Sequence, residues 1–363
     1  MNSLLQPALL GDLTFSNRIA MAPVTRSRSG TSGVPGALNA EYYRQRATAG
    51  LLITEATNVS RNSAAFELAP GIHTEAQVAG WCKVSSAVHA EGGKLFMQLW
   101  HGGRVSSYSL LSGAVPLSPS GVNEDLASLQ VYGELSNGYY TRIAASPSRE
   151  MSVAEIHAAI GEFGTAAANA VRAGIDGVEI HAANGYLPQQ FLSPHVNRRN
   201  DEFGGDPASR ARFLRLVIEA VLTAFPAHRI GVRLSPFALY NNALDGDPAA
   251  TYGYVLRMLE EYRIGYVHAA DTNAWGGAPD MPQLLDLVRS NYTGLLIANG
   301  GLEPESADVL VRDGRADMAA FGRQFIANPD LVRRIRLGGP YNTPDPSSFY
   351  GGGARGYTDY PAL

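Results

Sequence analysis

The sequence predicts an α/β fold: a single closed (β/α)8 barrel. Three observations carry that expectation. Short apolar runs alternate with helical patterns along nearly the whole chain, eight of the runs read as strands, and no short-period repeat or low-complexity linker divides them. The chain has 363 residues, 45% hydrophobic and 17% charged, enough for one large domain, and its 39 glycines suit many tight turns between strands and helices.

The strands are expected at Ile19 to Pro23, Leu51 to Ala56, Lys94 to Leu99, Gly177 to His181, Ile230 to Ser235, Gly265 to Ala270, Gly294 to Ala298 and Ala316 to Phe321. Helix ends fall between them. Thr74 with Gln77, and Ser152 with Glu155, have capping-box spacing, while Asp206-Pro207 and Asn328-Pro329 place a cap before a first-turn proline. After Ser152, residues Ile156, Ile160, Phe163, Ala167 and Val171 recur at helical steps and predict one buried face ending near Gly174.

Two stretches interrupt the alternation. Gly102 to Glu150 parts the third strand from its helix by far more than a usual connection, with alternating positions near Leu129 to Tyr132, and reads as a lid insertion (102–150) within one domain spanning 1–363. The segment from Gly338 to Leu363 is too rich in Pro, Gly and Tyr for a helix, yet its aromatic residues predict an ordered tail draped over the barrel.

Composition narrows the function. A net charge of −4 and a pI near 6.1, with no Lys/Arg block, offer nothing to nucleic acid, so none is expected as a partner. No apolar run reaches membrane-spanning length, and MNSLLQPALLGDLTF lacks a basic region ahead of an apolar core. The expectation is a cytoplasmic protein without a membrane partner. Cys82 is the only cysteine, which excludes an intrachain disulfide, a zinc cage or an iron-sulfur cluster held by this chain's thiolates; it reads as a small residue on a helix, and no metal is expected.

Chemistry in such a barrel gathers at the C-terminal strand ends. Those ends carry Pro23, Val24 and Thr25; Ala56; Gln98, Trp100 and His101; His181, Asn184 and Tyr186; Arg233; Asn299, Gly300 and Gly301; and Phe321, Gly322 and Arg323. The last two groups form the expected phosphate site, where glycines let backbone N–H groups approach a ligand and Arg323 supplies a forked cation. Simple turns with a surface arginine would look the same. Richest is Gly177 to Pro194, GVEIHAANGYLPQQFLSP, in which His181, Asn184 and Tyr186 reach one rim. Two donors there can hold a carbonyl or oxyanion while a phenol offers a proton. The packing alternative is a core histidine, a turn asparagine beside Gly185 and an amphipathic tyrosine. No G-x-G-x-x-G follows the first strand, against a dinucleotide-binding sheet, and no lysine lies at a strand end, against a barrel aldolase.

The blocks MAPVTRSRSG, EYYRQRATAGLLITEAT, QLWHGGR, HAANGYLPQQFLSPHVNRRNDEFGG, RIGVRLSP, ANGG, AFGRQFIANPDL and SFYGGGARGYTDYP, in this order, resemble those of the Old Yellow Enzyme family of FMN-dependent ene-reductases, from about Leu9 onward. The resemblance is nearest to the branch of pentaerythritol tetranitrate, N-ethylmaleimide and morphinone reductases and plant oxophytodienoate reductases. It implies an FMN-binding barrel in which Thr25 bonds the flavin C4 carbonyl, Gln98 its pyrimidine edge, and Arg233 lies by N1 and O2, where a cation favours the reduced anion. Pro23, Val24, Ala56, Asn299, Gly300, Gly301, Phe321, Gly322 and Arg323 complete that site, with Arg323 and the glycine amides on the phosphate. Trp100, Tyr350, Phe66 and Tyr240 border the substrate cavity.

The same resemblance implies ping-pong reduction of α,β-unsaturated carbonyl compounds, nitroalkenes or maleimides, driven by NADPH or NADH. His181 and Asn184 hold the substrate oxygen, and Tyr186 protonates the carbon. Small activated alkenes and phenolic ligands are the expected partners, in a monomer or homodimer. Position 184 carries asparagine where some relatives have histidine, and position 25 threonine where another branch has cysteine. Two further readings use the same cofactor: a flavin-dependent NADPH oxidase, or quinone or nitro-compound reductase, which needs no proton from Tyr186, and a non-catalytic FMN- or phenol-binding protein.

Overall fold

The computed structural model describes residues 2–275 and 279–363. Eight parallel strands close into a barrel: β1 (Ile19–Met21), β2 (Leu51–Ile53), β3 (Leu95–Trp100), β4 (Gly177–Ala182), β5 (Ile230–Leu234), β6 (Tyr266–Ala270), β7 (Leu295–Asn299) and β8 (Met318–Phe321). Each pairs with the next, and the ring closes where Ala320 faces Ala20 across β8 and β1. All eight lie where the apolar runs place them. Strand β1 ends at Met21 rather than Pro23, since proline 23 carries no N–H, and β2 ends at Ile53 rather than Ala56.

The two strand faces divide the core. Outward residues such as Val178, Ile180, Val232 and Leu234 pack between barrel and helices, whereas Ala20, Leu51, Phe96, Tyr266 and Ile297 fill the interior. Beneath the interior sits an antiparallel hairpin, Ala8–Leu10 with Leu13–Phe15, whose Phe15 is fully buried in the same cluster.

Helix α1 (Ala37–Gln45) precedes α2 (Glu75–Ala90), which starts with reciprocal bonds between Thr74 and Gln77, the Gln77 N–H donating to Thr74 Oγ1 at 3.2 Å. Helix α3 (Val153–Arg172) starts the same way at Ser152 and Glu155. Its buried face runs Ile156, Ile160, Phe163, Ala167 and then Ala170; Val171 is 47% exposed, since a further four-residue step from Ala167 drifts off the stripe. Asp206 caps α4 (Pro207–Leu222) as expected. Asn328 does not start a helix. It closes the short helix Arg323–Ala327, its amide donating to Gln324 O, and the next helix, α5 (Leu331–Leu337), begins behind Asp330. Cys82 lies half-buried on α2.

Residues 102–150 hold an antiparallel hairpin, Val131–Glu134 with Tyr140–Ile143, anchored by Arg104, fully buried and forked onto Asp125 at 2.6 and 2.7 Å. The C-terminal segment returns to the barrel mouth. The Arg26 guanidinium donates to the carbonyls of Phe349, Ser348 and Gly356 at 2.8, 3.2 and 2.7 Å, beside the rings of Tyr42 and Tyr357. Those rings stack at 4.1 Å, and Arg46 donates to the carbonyls of Phe325 and Ile326 below.

Candidate active site

At the C-terminal ends of the strands opens a cavity of about 430 Å³. Alternation along β4 turns Val178 and Ile180 outward and Glu179 and His181 inward, so an otherwise apolar strand delivers two polar groups to the barrel axis. The chain then turns through Asn184, whose left-handed backbone (φ 60°) is fixed by its N–H donating to Ser235 Oγ at 2.8 Å and its carbonyl accepting from Asn241 at 2.9 Å. Gly185 follows at φ 73°; a Cβ there would lie 2.5 Å from that of Asn241. This packing sends Tyr186 back over His181, their rings edge-to-face at 4.9 Å.

His181, Asn184 and Tyr186 therefore share one wall of the cavity. Burial, reinforced by the Arg233 charge, holds the His181 imidazole well below its ordinary pKa, so it stays neutral. Its Nδ1 and the Asn184 Oδ1 are buried without a partner among the described residues. Burial, with Tyr350 and Tyr132 nearby, pushes the Tyr186 phenol up, which keeps its proton in place.

Across the cavity, Arg233 donates to Asn299 Oδ1 at 2.8 Å and leaves its Nε unpartnered among the described residues; burial lowers its pKa and Glu179 opposes that. Asn299 is pinned in turn by donating to Ala320 O at 2.9 Å. Pro23, Val24, Thr25, Ala56 and Gln98 line the same space, as do Gly300, Gly301, Phe321, Gly322 and Arg323. The glycines are needed for shape: Gly300 has φ 147°, and a Cβ on it would come within 2.8 Å of Asp271 O. Phe66, Tyr240 and Tyr350 border the cavity too. Trp100 does not; it stands behind the wall, fully buried, edge-on to Tyr186 at 5.2 Å and tilted against Phe66 at 6.1 Å.

Sequence reasoning missed three contributors. Tyr132, from the 131–143 hairpin, lines the cavity and stacks on Phe66 at 4.7 Å. Arg26 holds the segment that carries Tyr350. Glu179 accepts from Gln98 Nε2, Tyr266 OH and His268 Nδ1 at 2.8, 3.0 and 2.9 Å. Burial works against its charge, yet His268, Arg233 and Gln98 outweigh that and hold its carboxyl below the ordinary value, while burial pulls the His268 imidazole below its own. A signal existed for Glu179: it is a carboxylate inside an apolar strand, at the same parity as His181. Among the described residues no group of His, Cys, Asp or Glu could hold a metal, and no helix is long and apolar enough to cross a membrane.

Comparison with known proteins agrees with this geometry. The family model for the NADH:flavin oxidoreductase / NADH oxidase family matches residues 3–342. The chain is 40% identical over 366 residues to 12-oxophytodienoate reductase 1 of Oryza sativa subsp. japonica, spanning 99% of this chain and 93% of that one. It is 38% identical over 361 residues to a probable flavin mononucleotide-dependent alkene reductase of Leishmania infantum, spanning 99% and 97%. The structure of morphinone reductase in complex with tetrahydroNAD superposes with a TM-score of 0.93 at 42% identity, covering 99% of this chain and 97% of that one. With an eight-stranded barrel and a cavity at its strand ends, the chain belongs to the NADH:flavin oxidoreductase / NADH oxidase family, that of Old Yellow Enzyme.

Proposed function

We propose that this FMN-dependent oxidoreductase reduces the C=C bond of α,β-unsaturated carbonyl compounds, nitroalkenes and maleimides, with Tyr186 as the proton donor. The observation that carries the reading is the convergence of a neutral imidazole, a carboxamide and a protonated phenol on one wall, opposite a buried cation and a glycine-rich cradle. The residues present fit FMN: Arg233 keeps an unused buried Nε, and Gly300 and Gly322 keep backbone clear where a Cβ would crowd Asp271 and Val24. Arg323 with the amides of Gly300, Gly301 and Gly322 would hold the phosphate. Gln98, Thr25 and Arg233 would meet the polar edge of the ring, while Pro23, Val24, Ala56, Asn299 and Phe321 shape its bed. FMN, when bound, relays two electrons as hydride from NADPH or NADH to the alkene.

The chain's own residues do the rest. His181 and Asn184 donate to the substrate oxygen and draw electron density from the double bond, which needs no titration because the imidazole is already neutral. Tyr186 gives its proton to the α-carbon. Trp100 keeps that ring in place from behind. Phe66, Tyr132, Tyr240 and Tyr350 provide flat apolar walls suited to a planar enone or a phenolic ligand, and residues 102–150 act as a lid on a single domain through Tyr132.

The test separates the two half-reactions. Tyr186→Phe is expected to slow anaerobic reoxidation by 2-cyclohexenone about 100-fold, with cyclohexanone formation falling equally, while reduction by NADPH stays near the wild-type rate. Equal losses in both halves would reject the assignment. Reoxidation only by a quinone or oxygen in the wild type would favour an oxidase or quinone reductase, and no bleaching by either nicotinamide a binding protein.

A further inference from the structure

Glu179 does not line the cavity. It is fully buried within the barrel, two residues before His181 on the same side of β4, and register places it opposite Gln98 on β3. Both carboxylate oxygens are engaged, one by Gln98 Nε2, the other by Tyr266 OH and His268 Nδ1. Nothing in the proposed proton transfer uses this group, yet a charge without water around it is costly to keep. Its neighbours say what it is placed to do. An ionised carboxylate only accepts, so it must face the nitrogen end of the Gln98 carboxamide, leaving that side chain's carbonyl oxygen and second N–H for the cavity. On the next strand Arg233 pairs in register with both His181 and His268, which brings the cation and this anion into one polar layer spanning β3 to β6.

We infer that Glu179 is a positioning residue for the flavin: it fixes which end of the Gln98 carboxamide meets the ring, and its charge offsets Arg233 so that the bound flavin takes electrons less readily. The inference rests on the flavin reading above and adds to it a residue that never touches the ligand. The length of the side chain controls the first effect, through its reach to Gln98. The charge controls the second. A role in packing alone would require neither.

Two substitutions separate these effects. Glu179→Gln keeps shape and removes charge; dye-equilibrated titration of the bound flavin is expected to show the reduced form favoured about tenfold over wild type, equivalent to ~30 mV for a two-electron couple. Glu179→Asp keeps charge and loses reach. Its potential is expected to stay at the wild-type value while FMN affinity, measured by fluorescence titration of the apoprotein, falls several-fold, as it does in Gln98→Ala. An unchanged potential in Glu179→Gln with FMN bound, or an equal shift in both variants, would overturn the inference. Should Glu179→Gln not fold, Glu179→Asp decides alone, and wild-type FMN affinity in it would overturn the inference. Wild-type protein purified without FMN would reject the flavin reading itself, before any variant is made.

Discussion

His101, one residue beyond Trp100, shows how a single side chain ties the site to pH. Its Nδ1 accepts the Gly103 N–H at 3.0 Å, and burial pulls its pKa from 6.5 down to about 4. The unfolded chain therefore binds a proton that the folded chain refuses. The contribution to stability is complete above pH 6.5 and is lost progressively as pH falls from 6.5 toward 4. Between pH 7 and 5, wild type is expected to lose about 2 kcal/mol more unfolding free energy than His101→Asn, with urea titrations at the two pH values as the measurement; parallel losses would reject the account. Burial holds the His181 imidazole well below its ordinary pKa as well. His181, Asn184 and Tyr186 were legible in the sequence because one strand end and the loop after it carry all three. The Glu179 layer was not, because Gln98, Tyr266 and His268 come from strands far apart in the chain and meet only when the barrel closes.

At the level of elements, strands and the main helix caps could be read directly, since each strand is an apolar run between turn residues and each cap is a local pairing. Asn328-Pro329 misled because it has the composition of a start signal yet follows a five-residue helix that needed an end. The interior of the 102–150 excursion is less legible: Tyr140–Ile143 is half-exposed and pairs with Val131–Glu134 without a strong alternation of its own. The tail is held by carbonyl groups, which carry no sequence signature at all. Arg26 is the centre of that attachment. Arg26→Met would remove the donor to Gly356 O and leave the carbonyls of Ser348 and Phe349 to Arg28 alone, and a cost of about 3 kcal/mol is expected in urea unfolding, together with faster FMN loss on dialysis. A change below about 0.5 kcal/mol, the range of ordinary surface substitutions, would show that the tail holds without it.

For the whole molecule, the barrel is stoppered at one end and open at the other. The 8–15 hairpin fills the N-terminal end, and Asp12 fastens it by accepting from His228 Nε2 at 2.6 Å and from Arg229. Phe15→Ala would empty part of the interior cluster and is expected to destabilise the protein by roughly 3–5 kcal/mol, while NADPH reduction at a temperature where the variant is folded stays near wild type, because the cavity lies at the far end. A variant equally impaired in flavin reduction would show that the two ends are coupled.

The docked tail also has a consequence in time. Phe349 reaches Arg26 across 323 positions of chain. Every barrel strand is synthesised before the segment bearing Tyr350 exists, the last of them ending at Phe321. A chain that stops short of Tyr350 thus carries all eight strands and the glycine cradle yet lacks one wall of the cavity. Such a chain is expected to colour weakly with FMN and to fade on washing.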